Sequence, residues 1–164
     1  MGERVSDGRT VVERTSEREL VVTRIFNGPV RIVYDAWTKA ELFQLWWAPK
    51  SSGVPMIGCT MDVRTGGGYS VTFGRDAENS MTFFGKYLEV TPGSRLVWTN
   101  DEAGEEEGAV TTVTFAEEDG DKTRLILSEL YPSKEALDAS FVGMEDAMPE
   151  QFRQLDEWLA SQTA

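Results

Sequence analysis

Residues 26–49 read FNGPVRIVYDAWTKAELFQLWWAP, and the fold turns on them. Asn27, Gly28 and Pro29 make a turn followed by a helix start, because proline's fixed φ suits the first helical turn, where its missing N–H costs nothing. Val30, Val33, Tyr34 and Trp37 then recur at helical spacing, which predicts a short amphipathic helix. Thr38 with Glu41 three residues on reads as a capping box. It opens a second short helix carrying Leu42, Leu45 and Trp46, which Pro49 ends.

Upstream, ELVVTRIF at 19–26 is β-branched and aromatic enough for a strand. Residues 1–17 are rich in Gly, Ser, Thr and charge, and their one apolar pair, Val11 and Val12, is too little for a core. They are expected to form a partly disordered N-terminal arm, with local pairing at most, ahead of one domain over 18–164.

Downstream of Pro49 the period changes to two. Cys59, Met61 and Val63 share a face; so do Tyr69, Val71 and Phe73, across a hairpin at Gly66 to Gly68. Phe83 and Tyr87 share a face in MTFFGKYLEV, with Gly85 between them, and Leu96 and Trp98 share one in RLVWTN. Val113 with Phe115, and Leu125 with Leu127, mark the last strands of an antiparallel meander. Ser133 then caps a long helix whose stripe is Leu137, Phe141, Met144, Met148, Phe152, Leu155 and Leu159. Pro149 lies inside it, and an interior proline costs about 3 kcal/mol, so a kink or break is expected between Gly143 and Pro149.

The element order is that of an α+β helix-grip fold. A curved antiparallel sheet of about seven strands wraps a long C-terminal helix, with two short helices after the first strand. At 164 residues one sizeable core is feasible. Five Trp, eight Phe and four Tyr must fill that core or line a cleft, since large aromatic patches are rare on soluble surfaces.

Charge and chemistry exclude several classes. A net charge of −12 repels phosphate backbones and anionic head groups, so neither nucleic acid nor membrane insertion is expected. Nine carboxylates and no Lys or Arg fall between Asp101 and Asp121, which reads as a solvated acidic loop with strand-end charges. The only cysteine is Cys59, so no intramolecular disulfide forms. With no apolar leader and no spanning stretch, a cytoplasmic location is expected. The chain has no His, which removes imidazole bases, Ser-His and Cys-His nucleophiles and the commonest zinc ligand. No metal, cofactor or catalytic residue is assigned. The triple glycine at Gly66 has no following Lys-Ser or Lys-Thr and reads as a turn rather than a phosphate cradle.

The blocks Phe26-Asn27-Gly28-Pro29, Asp35-Ala36-Trp37-Thr38, Trp46-Trp47-Ala48-Pro49, Met61-Asp62-Val63-Arg64 with Gly66-Gly67, Gly85-Lys86-Tyr87-Leu88-Glu89, Arg95-Leu96-Val97-Trp98, Val113-Thr114-Phe115 and Gly143-Met144-Glu145 stand in this order. They resemble the homologues of the C-terminal domain of the activator of the 90-kDa heat-shock chaperone's ATPase, in the START-like (SRPBCC, Bet v 1-like) superfamily. The resemblance runs from Arg18 to Leu159. It implies a deep pocket between sheet and C-terminal helix, closed at one end by the short helices. It names no ligand, and no separate N-terminal domain like that of the chaperone activators is expected within these residues.

The residues expected to line such a pocket are Trp46, Trp47, Tyr69, Phe73, Phe83, Tyr87, Trp98, Phe141, Met144 and Met148, with the Tyr hydroxyls and Trp indoles as its polar groups. Asp62 and Arg64 are read as supports of the Gly66 hairpin, Cys59 as a small hydrophobe, and Glu145 as an exposed acid that gains an acid/base role only if it points inward. The leading expectation is a non-catalytic binder or carrier of an apolar or aromatic small molecule. A chaperone-associated module and a polyketide cyclase-like enzyme are the alternatives, and a homodimer through an open strand edge stays open.

Overall fold

Period-two burial defines the strands in the computed structural model, which describes residues 4–6, 10–76, 78–100 and 109–162, the side chains of 4–6, 52, 140, 142–146 and 162 excepted. The acidic segment 101–108 and the side chains of Met144 and Glu145 therefore lie outside the described residues. Strands β1 (Arg4–Ser6), β2 (Val11–Arg14) and β3 (Glu19–Phe26) precede α1 (Val30–Thr38), α2 (Ala40–Trp46) and a 3-10 turn (Lys50–Ser52). Six strands follow: β4 (Met56–Met61), β5 (Gly68–Gly74), β6 (Ser80–Thr91), β7 (Arg95–Thr99), β8 (Val110–Glu118) and β9 (Lys122–Leu130). Helix α3 (Lys134–Gln162) closes the order.

Among the described residues nine strands form one antiparallel sheet, β1-β2-β3-β9-β8-β7-β6-β5-β4, and the architecture is the α+β helix-grip fold. The seven anticipated strands are present. The other two come from the segment read as an arm, and Val12 is fully buried there, opposite the equally buried Val22. One apolar pair cannot nucleate a core, but it extends the one that β3 has already built.

Two expectations about helix ends come out differently. The capping box of α2 does not form: Thr38 is still the last residue of α1, so its hydroxyl donates back to the Tyr34 carbonyl at 2.9 Å, and Lys39 flanks α2 with no side-chain cap. Helix α3, capped by the Ser133 hydroxyl accepting the Ala136 N–H at 3.1 Å, runs unbroken through Pro149. Leu137, Phe141 and Met148 before the proline, and Phe152, Leu155 and Leu159 after it, are all buried. Each such side chain contributes about 1.5–3 kcal/mol, so packing on both sides outweighs one lost backbone bond.

The helices divide the sheet between them. Helix α3 lies over β2 and β3, α1 over β8 and β9, and α2 over β4. An ion pair fixes α3 in place: Arg24, on the inner face of β3 and only 3% exposed, reaches Asp156 Oδ2 through Nη2 at 2.6 Å and Thr10 Oγ1 through Nη1 at 2.6 Å. The second oxygen of Asp156 accepts the Asn27 N–H at 3.1 Å. Removing one partner of such a pair strands the other charge in the interior. Asp156→Ala is therefore expected to lower unfolding free energy by about 3 kcal/mol, read from urea denaturation midpoints, whereas Asp35→Ala at the exposed pair with Lys39 costs under about 1 kcal/mol.

Candidate functional site

Trp37, near the end of α1, is where the packed core stops. Its ring meets Phe43, Trp46, Trp47, Trp98, Phe115 and Phe152 at centroid separations from 4.8 to 6.5 Å, mostly edge to face. Its indole N–H is enclosed and has no oxygen or nitrogen acceptor among the described residues. Aromatic surroundings soften that cost, which for a buried donor is about 1–3 kcal/mol when nothing replaces water.

Two buried glutamines of α3 hold the neighbouring chain. A helix leaves its last carbonyls without internal partners. Beyond the end of α2, Gln154 Nε2 donates to the carbonyls of Trp46 and Ala48 at 2.8 and 2.9 Å, and Gln151 Nε2 donates to that of Trp47 at 2.6 Å. The Lys50 N–H returns to Gln154 Oε1 at 2.9 Å, which fixes the orientation of that amide. Trp47 is thereby set on the cavity side of α2 and Trp46 on the core side.

Beneath α1 and α2, strands β4 to β7 present their inner face to a cavity of about 260 Å³. Trp37, Phe43 and Trp47 form its roof; Met61, Tyr69, Val71 and Phe73 come from β4 and β5; Phe83, Tyr87, Trp98 and Asn100 come from β6, β7 and the residue after it. An apolar cavity of about 150 Å³ suffices for one benzene ring, so this one admits a flat molecule of two rings. The floor depends on Gly85: a Cβ there would meet the Thr99 carbonyl oxygen at 1.9 Å and the Tyr69 ring at 2.9 Å. Phe83, 37% exposed, stands on the solvent side.

Polar groups are few. The Tyr69 hydroxyl donates to the Thr99 carbonyl at 2.7 Å and lies 3.3 Å from Asn100 Oδ1. Burial pushes the Tyr87 hydroxyl well above the usual phenol range, with Cys59 and Tyr34 nearby adding to it, so it is a neutral phenol. Among the described lining residues none is Asp, Glu, Lys or Arg. Burial likewise pushes the Cys59 thiol up to about 11. Arg64 and Asp62 make an exposed ion pair with each other at 2.9 Å beside the Gly66 turn. No group of three metal-ligating side chains converges among the described residues.

Of the ten residues singled out in the sequence, Trp47, Tyr69, Phe73, Phe83, Tyr87 and Trp98 meet at this cavity. Trp46 does not: it is fully buried in the core and its Nε1 donates to the Ala36 carbonyl at 3.0 Å. Phe141 and Met148 are also core residues, Phe141 beneath the Arg14 guanidinium at 5.7 Å, because the stripe of α3 is spent on the β2–β3 half of the sheet. Among the described residues the cavity is accordingly lined by the short helices and not by α3, whose side chains at 142–146, Met144 included, lie outside the described ones. Trp37, Phe43, Met61, Val71 and Asn100 were not singled out. The signal existed for each: Trp37 ends the helical stripe begun at Val30, Phe43 is four residues before Trp47, Met61 stands opposite Tyr69 across the Gly66 hairpin, Val71 shares strand parity with Tyr69 and Phe73, and Asn100 follows Trp98 by two.

A family model described as activator of Hsp90 ATPase homolog 1-like protein matches residues 27–160. The chain belongs to that family. Solved structures share its fold at low identity. A Rhodobacter sphaeroides crystal structure superposes with a TM-score of 0.81 at 23% identity, covering 92% of this chain and 97% of that one. A Mycobacterium smegmatis protein gives 0.78 at 20% identity, with 96% and 99% covered. The solution structure of an AHSA1-like protein from Aeromonas hydrophila gives 0.67 at 18%, with 84% and 92% covered. A comparison with curated proteins found no match. No described helix of this family member is long and apolar enough to cross a membrane.

A thiol is nucleophilic only as its thiolate, so a value near 11 leaves Cys59 protonated at neutral pH. Native protein at pH 8 is expected to react with a disulfide reagent at least about tenfold more slowly than the urea-unfolded chain. Its rate should climb toward pH 11 rather than level off near the pH of about 8.5 typical of exposed thiols.

Proposed function

We propose that this protein is a non-catalytic binding module that takes a small, flat, largely aromatic molecule into the cavity beneath α1 and α2. The observation that supports this reading is the cavity itself: about 260 Å³ of space among aromatic side chains would be costly to keep empty, and its walls are rings, a thioether and a branched aliphatic chain, with one amide. Tyr87, neutral and enclosed, offers no base, and the described lining carries no carboxylate or amine, which leaves the cyclase-like alternative without a general base among the described lining residues. The carrier reading needs only shape and exclusion of water.

A second reading, an interaction module acting on a 90-kDa chaperone, is favoured by the family match over residues 27–160, and the comparisons speak for it more directly than for any ligand. The two are separable. Val71 is 4% exposed and lines the cavity, so Val71→Phe places a ring in it and narrows it. Calorimetric titration with naphthalene is expected to give saturable binding to the wild type and at least about tenfold weaker binding to Val71→Phe, with the melting temperature held within a few degrees. Saturable binding that is equal in both proteins would rule out this cavity. Stimulation of a bacterial 90-kDa chaperone's ATPase by both proteins alike would instead establish the interaction reading.

A further inference from the structure

The cavity wall contains one amide, and the bonds behind it decide which way it faces. Asn100 Nδ2 donates to the Ala109 carbonyl at 2.9 Å and to Thr111 Oγ1 at 2.8 Å. A backbone carbonyl accepts only, so the amide cannot be turned around without setting oxygen against oxygen. Thr111, fully buried, passes its own proton to Glu129 Oε2 at 2.7 Å, and the Tyr131 hydroxyl donates to Glu129 Oε1 at 2.9 Å. Glu129 is 8% exposed on the inner face of β9, directly opposite Thr111 in the register of β8 and β9. The row from Glu129 through Thr111 to Asn100 thus has one direction, with the acceptor at its buried end and both amide protons spent on the protein.

What remains, among the described residues, is the carbonyl oxygen of Asn100. Its contact is the Tyr69 hydroxyl at 3.3 Å, but that single proton is directed at the Thr99 carbonyl at 2.7 Å. Asn100 and Tyr69 both line the cavity. Among the described residues the wall therefore offers a poorly satisfied acceptor in largely apolar surroundings, and this sets a chemical requirement on the guest.

Resting on the cavity reading above, we infer that the guest donates a hydrogen bond to Asn100 Oδ1, so that the ligand class is a small aromatic bearing a hydroxyl or N–H. An aromatic ether or ketone of the same size would bring an oxygen against that carbonyl. Asn100 is the ligand contact; Thr111 and Glu129 are positioning residues that hold its amide in this sense.

Three probes of one ring system test this by calorimetry: naphthalene, 2-naphthol and 2-methoxynaphthalene. Partition out of water favours the ether over the phenol, so hydrophobicity alone predicts the opposite order to the one expected here. All three should bind the wild type, 2-naphthol at least about tenfold tighter than the ether. Asn100→Leu should bring that ratio to within about twofold of unity. Thr111→Val should leave naphthalene affinity within about twofold while cutting the phenol-to-ether ratio at least about threefold; a merely structural role for Thr111 would weaken all three probes alike. If Asn100→Leu fails to fold, the wild-type ratio together with Thr111→Val decides. Naphthalene and both derivatives binding with equal affinity to the wild type would overturn this inference and leave the cavity reading standing. Failure of naphthalene itself to bind would remove the cavity reading and this inference with it.

Discussion

The packing of rings around Trp37 is the constraint on which the rest depends. One side of that indole is locked into Trp46, Phe115 and Phe152, in the solid interior, and the ring also forms part of the cavity roof with Phe43 and Trp47. A single rigid residue thus belongs to both the core and the site. Because aromatic contacts are directional, edges meeting faces, the cluster cannot slide to fill the adjacent space without breaking several contacts at once. The gap is kept open by geometry that the core enforces.

The sheet supplies the other half of the explanation. Helix α3 carries the long apolar stripe, but it lies over β2 and β3, where Leu20, Val22 and Phe26 receive it. Among the described residues the inner face of β4 to β7 is met at the cavity by Trp37, Phe43 and Trp47 of the two short helices and the residue after them, and helices of nine and seven residues cannot cover four strands. The glutamines of α3 reinforce its packing against α2: by satisfying the carbonyls at and just after the end of α2 they fix the chain that carries Trp47.

Electrostatics are arranged with similar economy. The chain is strongly acidic, yet the acids that matter to its interior are few and each is answered: Asp156 by Arg24, Glu129 by two hydroxyls. Burial raises the Glu129 carboxyl above its ordinary range, and the hydrogen bonds from Thr111 and Tyr131 pull against that. Such an arrangement suits recognition by shape and a single polar contact. Family membership is compatible with it and with a protein partner as well, because a fold fixes where a site sits and leaves its chemistry to individual residues.

Most of the fold was legible because periodicity reports which face of an element is buried, and the seven central strands, three helices and the Ser133 cap all follow from local pattern. Six of the ten proposed lining residues meet at the cavity for the same reason, five through strand parity and Trp47 through its place after α2. What local pattern cannot report is the destination of a buried face. Trp46, Phe141 and Met148 are apolar and inward, as their spacing says, but whether inward means core or cavity depends on how far α3 reaches across the sheet. The unbroken course of α3 through Pro149, the burial of Val12, and the bonds joining Gln154 to Trp46, or Glu129 to Asn100 through Thr111, likewise join residues distant in the chain. The sequence by itself determined the elements and their inner faces, since those depend on neighbours within a few residues; only the tertiary structure decided which inner face is filled and which is left open, since that depends on contacts between residues a hundred positions apart.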